Sequence, residues 1–206
     1  MIIDDIRYRK NSADILAGGE EYKKLPLAEV VRFGIKKGAE IDERYFSEFL
    51  RECDRTAAKE YLFGLLARGP RTEQEARIKL YQKGFRKESV LNAIELAKQY
   101  KYISDEAFAD FYIQTNKQAK GAYRIKAELK QKGVPAEIIE EAAEGIKETE
   151  KDAAAALAER FAKNKDISDR KNREKLIRHL ASRGFSYDII KQVLSDLGSD
   201  TEDFID

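Results

Sequence analysis

One short pattern occurs three times in this chain and restricts its fold more than any other feature. A basic residue, a glycine and an apolar residue stand together as Lys83-Gly84-Phe85, Lys132-Gly133-Val134 and Arg183-Gly184-Phe185. Four residues before each glycine is a leucine (Leu80, Leu129, Leu180), and eight before it another apolar residue (Ala76, Ile125, Leu176). After it come an apolar pair and a further apolar position one turn on: Val90, Leu91 and Ile94; Ile138, Ile139 and Ala142; Ile189, Ile190 and Val193. A period of roughly 50 residues marks a repeated supersecondary unit.

The unit is readable in physical terms. Apolar residues at i and i+4 mark one face of a helix. Glycine suits the left-handed position just past a helix end, and the apolar residue after it can fold back onto the last turn. Ser186 is expected to cap the following helix in the third unit, and Pro135 suits a first helical position in the second. Thr72-x-x-Glu75 reads as a capping box. An apolar run precedes each pair: Tyr61, Leu62, Leu65 and Leu66; Phe108, Phe111 and Tyr112; Leu157 and Phe161. Each unit is therefore three helices. The expected fold is mainly α: elongated tandem three-helix repeats in three copies, behind a small N-terminal β-hairpin and helix segment. The boundaries are residues 1–56 for that segment, 57–103, 104–151 and 152–197 for the repeats, and 198–206 for an acidic, frayed tail.

At 206 residues, 37% of them charged and none Trp, the chain has the plentiful surface that a helical stack requires. No apolar run approaches the roughly 20 residues of a membrane span. The N-terminus lacks the pattern of a secretion signal, and a single cysteine excludes an intrachain disulfide or a thiolate cluster. These features point to a soluble cytoplasmic protein, expected to be a monomer without cofactor or metal.

In the N-terminal segment, Ile2, Ile6 and Tyr8 with Ile3 opposite, then Ala13 to Ala17, then Glu20 to Leu25 read as strands, with Gly18-Gly19 as a two-residue turn. Leu27, Val30, Val31 and Ile35 read as a helix ended by Lys37-Gly38. Asp42 is placed to cap a longer helix with a stripe of Tyr45, Phe46, Phe49, Leu50 and Cys53. Asp54-Arg55-Thr56 either bends that helix or continues it into the first repeat.

The net charge of +1 hides a pattern. Residues 57–133 carry 16 basic and 9 acidic groups, residues 134–152 carry 2 and 7, and residues 153–191 carry 10 and 5. Basic blocks around an acidic one suit a surface that meets phosphates and a charged protein together, although most such charges are simply solvated helix faces. No catalytic constellation emerges. His179, the only histidine, falls at an exposed repeat position, and Cys53 lies on an apolar stripe. Glu140, Glu141, Glu144 and Glu148 share a solvated helix face. Hence no enzyme is expected.

The better candidate is a contact surface. Tyr123, Lys126 and Lys130 lie on one flank of the helix whose core face is Ile125 and Leu129, with Lys120 and Arg124 adjoining and Lys132 at the helix end. Arg77 and Tyr81 are neighbours on the corresponding flank of the first repeat. Basic groups with an interleaved aromatic neutralise phosphates and stack on a base. The alternative is that the rings only cover a neighbouring repeat.

Leu65-Leu66-Ala67-Arg68, Arg71-Thr72-x-x-Glu75 and Lys83-Gly84-Phe85 resemble the first repeat of the RecX family. Tyr102-Ile103-Ser104-Asp105-x-x-Phe108-Ala109-x-x-Tyr112-Ile113, then Gly121-x-x-Arg124-Ile125-x-x-x-Leu129-x-x-Lys132-Gly133-Val134, resemble its central, most diagnostic repeat. The resemblance spans about residues 57–194. It implies tandem three-helix repeats that bind the RecA recombinase filament on single-stranded DNA, meeting the DNA directly or through RecA, and modulate, usually inhibit, its activity in DNA repair, recombination and the SOS response. Two departures stand out. The family usually has paired acids after the Tyr-Ile, where this chain has Ser104-Asp105. It favours arginines after the Phe-Ala helix, where this chain has Gln114 and Asn116. A helical-repeat nucleic-acid-binding protein without a recombinase partner is the rival expectation.

Overall fold

The computed structural model describes residues 1–163 and 165–198, with Lys147 and Glu148 by backbone alone. The acidic tail, apart from Gly198, lies outside the described residues. The chain divides into two compact units, residues 1–103 and 104–206.

The first unit opens with an antiparallel sheet of three strands in sequence order: β1 (Ile3–Tyr8), β2 (Ser12–Ala17) and β3 (Glu20–Pro26). Gly18 and Gly19 join β2 to β3 at φ +58° and +81°, the pair of left-handed residues that a tight hairpin needs. The expected strand faces are corrected. Ile3 is fully buried with Ala13, Ile15 and Ala17, whereas Ile2 and Tyr8 are exposed. An irregularity in pairing between Ile3 and Asp5 resets the two-residue alternation, so Ile6 packs against the same core as Ile3. Residues 38–41 cover the outer edge of β1: the N–H groups of Ile3 and Gly38 donate to the carbonyls of Ala39 and Ile3 at 3.0 and 2.8 Å.

The next helix, α1 (Leu27–Arg32), is shorter than expected. It stops at Gly34, not at Lys37-Gly38. With Gly34 at φ +61°, its N–H donates to Val31 O and that of Ile35 to Val30 O, each at 3.0 Å. Ile35 is buried just past the helix end, and Val31 is exposed at 71%.

Asp42 Oδ1 accepts from the N–H groups of Arg44 (2.8 Å) and Tyr45 (3.2 Å), capping α2 (Glu43–Leu66). This 24-residue helix runs unbroken through Asp54-Arg55-Thr56. Its first half buries Phe46, Phe49 and Cys53 against the sheet, with Val30 and Ile35. Its second half buries Ala58 and Leu62 against α3 (Glu73–Gln82) and α4 (Lys87–Gln99), through Ala76, Leu80, Val90, Ala93, Ile94 and Ala97.

The second unit contains two further three-helix clusters. In α5 (Asp105–Asn116), α6 (Ala122–Gln131) and α7 (Ala136–Ala143) the core is Phe108, Ala109, Ile113, Ile125, Leu129, Val134, Ile139 and Ala143, with Ile146 beyond. Phe111, expected in the core stripe, is exposed instead; Ala109 and Ile113 occupy the inward positions. Pro135 precedes the first helical residue of α7 by one place, at the cap. A 3-10 turn at Glu144–Ile146 separates α7 from α8 (Lys147–Ala162), so the four glutamates from Glu140 to Glu148 do not share one helix. In α8, α9 (Arg170–Ser182) and α10 (Tyr187–Asp196) the core includes Ala154, Ala158, Leu176, Leu180, Phe185, Ile190 and Val193.

The repeat signature has one geometry in all three places. Gly84, Gly133 and Gly184 have φ of +86°, +84° and +86°. The N–H of Phe85 donates to Leu80 O, that of Val134 to Leu129 O, and that of Phe185 to Leu180 O, at 3.4, 3.1 and 3.3 Å. Each glycine N–H reaches the carbonyl three residues back at 2.9 to 3.0 Å. This is the Schellman helix stop, and it explains why a leucine always stands four residues before the glycine. Thr72, Ser104 and Ser186 cap the helices they precede, accepting from Glu75, Ala107 and Ile189 N–H at 3.1, 3.0 and 3.3 Å.

Within the second unit one glycine stop also meets a neighbouring helix. The N–H of Gly121 donates to Arg183 O (2.9 Å) and that of Tyr123 to Gly184 O (3.3 Å). Arg124 reaches Ser182 O (3.1 Å) and Arg183 reaches Ala119 O (3.0 Å). The carbonyl end of α9 thus sits on the N–H end of α6, and each satisfies groups that a helix terminus leaves open. A Cβ on Gly121 would lie 2.3 Å from Gly184 O, so only glycine fits.

Candidate nucleic-acid interface

Helix α6 carries most of the residues singled out as phosphate or partner contacts, and its geometry sorts them onto two flanks. Ile125 and Leu129 face the core at zero exposure. On one side lie Tyr123, Lys126 and Lys130; on the other lie Arg124 and Glu128, one turn apart, with Lys120 just before the helix. Lys120 and Arg124 therefore do not adjoin the Tyr123 flank, as spacing alone suggested.

The Tyr123 flank is open. Tyr123 is 67% exposed and Lys130 is exposed. Tyr123 and Lys126 line a cleft of about 370 Å³ with Ala143, Glu150, Ser186, Asp188 and Ile189. Lys126 forms an ion pair with Glu140 of α7, which neutralises part of the expected positive charge. Glu150, buried on α8, accepts from the Ala122 N–H at 2.8 Å.

The opposite flank is a convergent cluster. Glu128 Oε2 accepts from Tyr112 Oη (2.5 Å) and Lys120 Nζ (2.6 Å), and its Oε1 from Arg124 Nε (3.0 Å). Partial burial would raise the Glu128 pKa, but the hydrogen bonds from Lys120, Tyr112 and Arg124 outweigh it and hold the carboxyl at about 2. Burial, and then the hydrogen bond to Glu128, raise the Tyr112 phenol. Lys132 Nζ lies 5.6 Å from the Phe108 ring centre and 5.9 Å from that of Tyr112, and those two rings stack at 6.0 Å. Asn116, where the resemblance led one to expect an arginine, donates to Tyr112 O at 2.8 Å.

In the first unit Arg77 pairs with Glu73, and Tyr81 is 43% exposed. Sequence reasoning did not name the tyrosines beside Lys101 as contact candidates. Tyr100 and Tyr102 are both more than 60% exposed, with ring centres 6.2 Å apart, and Lys101 between them has φ +57°. A left-handed non-glycine residue is uncommon, and periodicity gives no sign of it.

The other reactive side chains are accounted for. Cys53 is buried, and burial pushes its thiol up to about 12, as expected of a core residue. His179 is half-buried, not exposed: it packs on Phe161 at 5.7 Å, and burial, then Arg183 and Lys165, lower its pKa. Among the described residues no group of three His, Cys, Asp or Glu side chains could hold a metal ion, and no helix is long and apolar enough to cross a membrane.

Comparison with known proteins agrees with this architecture. Family models for the second and third three-helix domains of RecX match residues 104–142 and 148–194. The regulatory protein RecX of Clostridium botulinum (strain Alaska E43 / Type E3) is 33% identical over 182 residues, 86% of each chain. That of Caldanaerobacter subterraneus subsp. tengcongensis is 31% identical over 198 residues, 95% of this chain and 99% of its own. A crystal structure of a regulatory protein RecX, 23% identical, superposes with a TM-score of 0.67 over 94% of this chain and 98% of that one. The crystal structure of RecX from Lactobacillus salivarius, 25% identical, gives 0.63 over 70% and 97%. On a helix–glycine–helix unit repeated three times and this extent of identity, the chain belongs to the RecX family of regulatory proteins.

Proposed function

We propose that this chain is a non-enzymatic cytoplasmic regulator that binds the RecA filament on single-stranded DNA and modulates its recombinase and ATPase activity, acting as a monomer. Membership of a family of regulatory proteins carries the proposal, and the outward residues of α6 support a contact on that helix. Tyr123 and Lys130 stand outward on a helix whose inward face is fully committed to the core. They are placed to meet a strand or a protomer without loss of stability. The repeats at 57–103, 104–151 and 152–197 act as three contact modules, so that weak contacts add through multivalency. Arg77 and Tyr81 serve the first module as Tyr123, Lys126 and Lys130 serve the second.

The test replaces Tyr123, Lys126 and Lys130 together by Ala, Gln and Gln. Glutamine avoids setting a new acid against Glu140. With folding confirmed by circular dichroism, the modulation of RecA strand exchange and ATP turnover is expected to weaken by ~10-fold or more, the factor that ~1.4 kcal/mol represents. Equal potency of the two proteins removes this flank from the site. A wild-type protein that does not distinguish RecA-coated from bare strands replaces the filament assignment with general nucleic-acid binding.

A further inference from the structure

The Glu128 cluster has a feature that a simple ion pair lacks: the cations outnumber the acid they surround. Lys120 and Arg124 both donate to Glu128, and Lys132 stands against the same Tyr112 ring that Lys120 overlies at 5.3 Å. Two positive side chains, an ammonium and a guanidinium, meet one carboxylate on this flank. None is sealed off: the Lys120, Glu128 and Arg124 side chains are 22%, 24% and 45% exposed. Two oxygens on a compact anion, received by an ammonium and a guanidinium, are also what a backbone phosphate offers.

We propose that Lys120 and Arg124 form a seat for a backbone phosphate of single-stranded DNA, and that Glu128 occupies this seat in the free protein as a built-in competitor. The inference rests on the strand-binding part of the proposed function and extends it to a residue of the opposite charge. Tyr112, through its hydroxyl, holds Glu128 in place. A nucleic-acid strand is the favoured incoming anion over an acidic protein segment. A carboxylate from a protein brings only the single charge that Glu128 already supplies, whereas a strand brings a row of charges and releases condensed counterions when it binds. Local release of Glu128 makes the seat weak on an isolated phosphate and stronger on a strand held by neighbouring contacts.

The experiment measures binding of fluorescein-labelled oligo(dT) by anisotropy across a salt series, for the full chain and its variants. Glu128→Gln keeps the shape and removes the competing charge. It is expected to bind about 5-fold more tightly at low salt, with a salt slope steeper by about 1. Glu141→Gln on α7 removes the same charge from an exposed position and is expected to change binding less than ~2-fold. Adding Lys120→Gln to Glu128→Gln should abolish the gain. Tyr112→Phe frees Glu128 more gently, keeps every cation, and should move affinity in the same direction. This second variant decides the matter if Glu128→Gln does not fold. Equal effects of Glu128→Gln and Glu141→Gln, or a gain that survives loss of Lys120, overturn the seat. So does tighter binding to RecA without any gain on bare strands, which would identify an acidic protein partner. A seat confirmed on bare oligo(dT) beside a wild type that ignores RecA refutes the filament assignment alone.

Discussion

Gly121→Ala is a sharp probe of how the helix ends in the second unit are held. Gly121 has φ −77°, so alanine meets no backbone strain, and the smaller entropy of its unfolded chain would by itself stabilise by ~0.4–1 kcal/mol. Against this, the new Cβ would lie 2.3 Å from Gly184 O, 2.4 Å from Gly184 C and 2.5 Å from Phe185 N. These are backbone atoms of a Schellman stop and cannot rotate away. Relief requires α6 and the end of α9 to separate. Overpacking of this kind costs ~1–3 kcal/mol. Separation also lengthens the bonds from Gly121 N–H to Arg183 O and from Tyr123 N–H to Gly184 O, at ~0.5–1.5 kcal/mol each. At the centre of these ranges the net loss is ~3 kcal/mol, or a fall of ~6–12 °C in Tm for a chain of this size. Urea denaturation followed at 222 nm measures it. Gly64→Ala is the control: Gly64 sits inside α2 with nothing within 4 Å of its Cβ position, and alanine there should stabilise by up to ~1 kcal/mol. A Gly121→Ala protein within ~0.5 kcal/mol of wild type would refute the reasoning.

Three other outcomes are expected. Gly133→Val forces a β-branched residue into φ +84° and should lower stability by ~1 kcal/mol or more; an unchanged melting temperature contradicts it. Cys53, its thiol raised by burial to about 12, should react slowly with iodoacetamide in the folded state, and Cys53→Ala should spare RecA modulation; rapid labelling with loss of modulation would assign it a chemical role. Glu128 has its pKa lowered in the folded chain from 4.5 to about 2, so its stabilising effect is complete above pH 4.5 and is lost as pH falls toward 2. The Tm of wild type should therefore drop more steeply than that of Glu128→Gln across that interval, and parallel curves would show that the cluster does not stabilise the fold.

What could be read from the residues was what is local. The three glycine stops follow from the chirality of the backbone and the i,i+4 leucine, and no distant partner is needed to set them. The caps at Asp42, Thr72 and Ser186 are legible for the same reason. The end of α1 was misplaced because Gly34 and Gly38 are both competent stops; burial of Ile35 against the sheet decides for the first. The sheet faces were misread because one irregular pair at Ile3 and Asp5 inverts an alternation that otherwise holds. At the candidate site, the outward direction of Tyr123 followed from the wheel of α6. The charge state of the surface did not. Which acid claims which base depends on long side chains reaching between helices, as Lys126 does to Glu140 and Tyr112 to Glu128, and sequence spacing is silent about that.

Helix α2 has no joint. It extends for about 36 Å at 1.5 Å per residue, and its two halves belong to different apolar clusters. Where one gives way to the other, side chains grip both neighbours. Thr56 Oγ1 donates to Glu29 Oε1 at 2.7 Å, Asp54 Oδ2 accepts from the Arg86 N–H at 3.1 Å, and Arg55 bridges Glu52 and Glu88. A load applied to the N-terminal sheet would accordingly reach the first repeat as axial strain in a continuous rod. A cut near residue 56 would sever that rod and leave both stumps without half of their turns. Truncating the sheet while keeping the whole helix would instead uncover Phe46 and Phe49, which turns a hidden apolar stripe into an adhesive one.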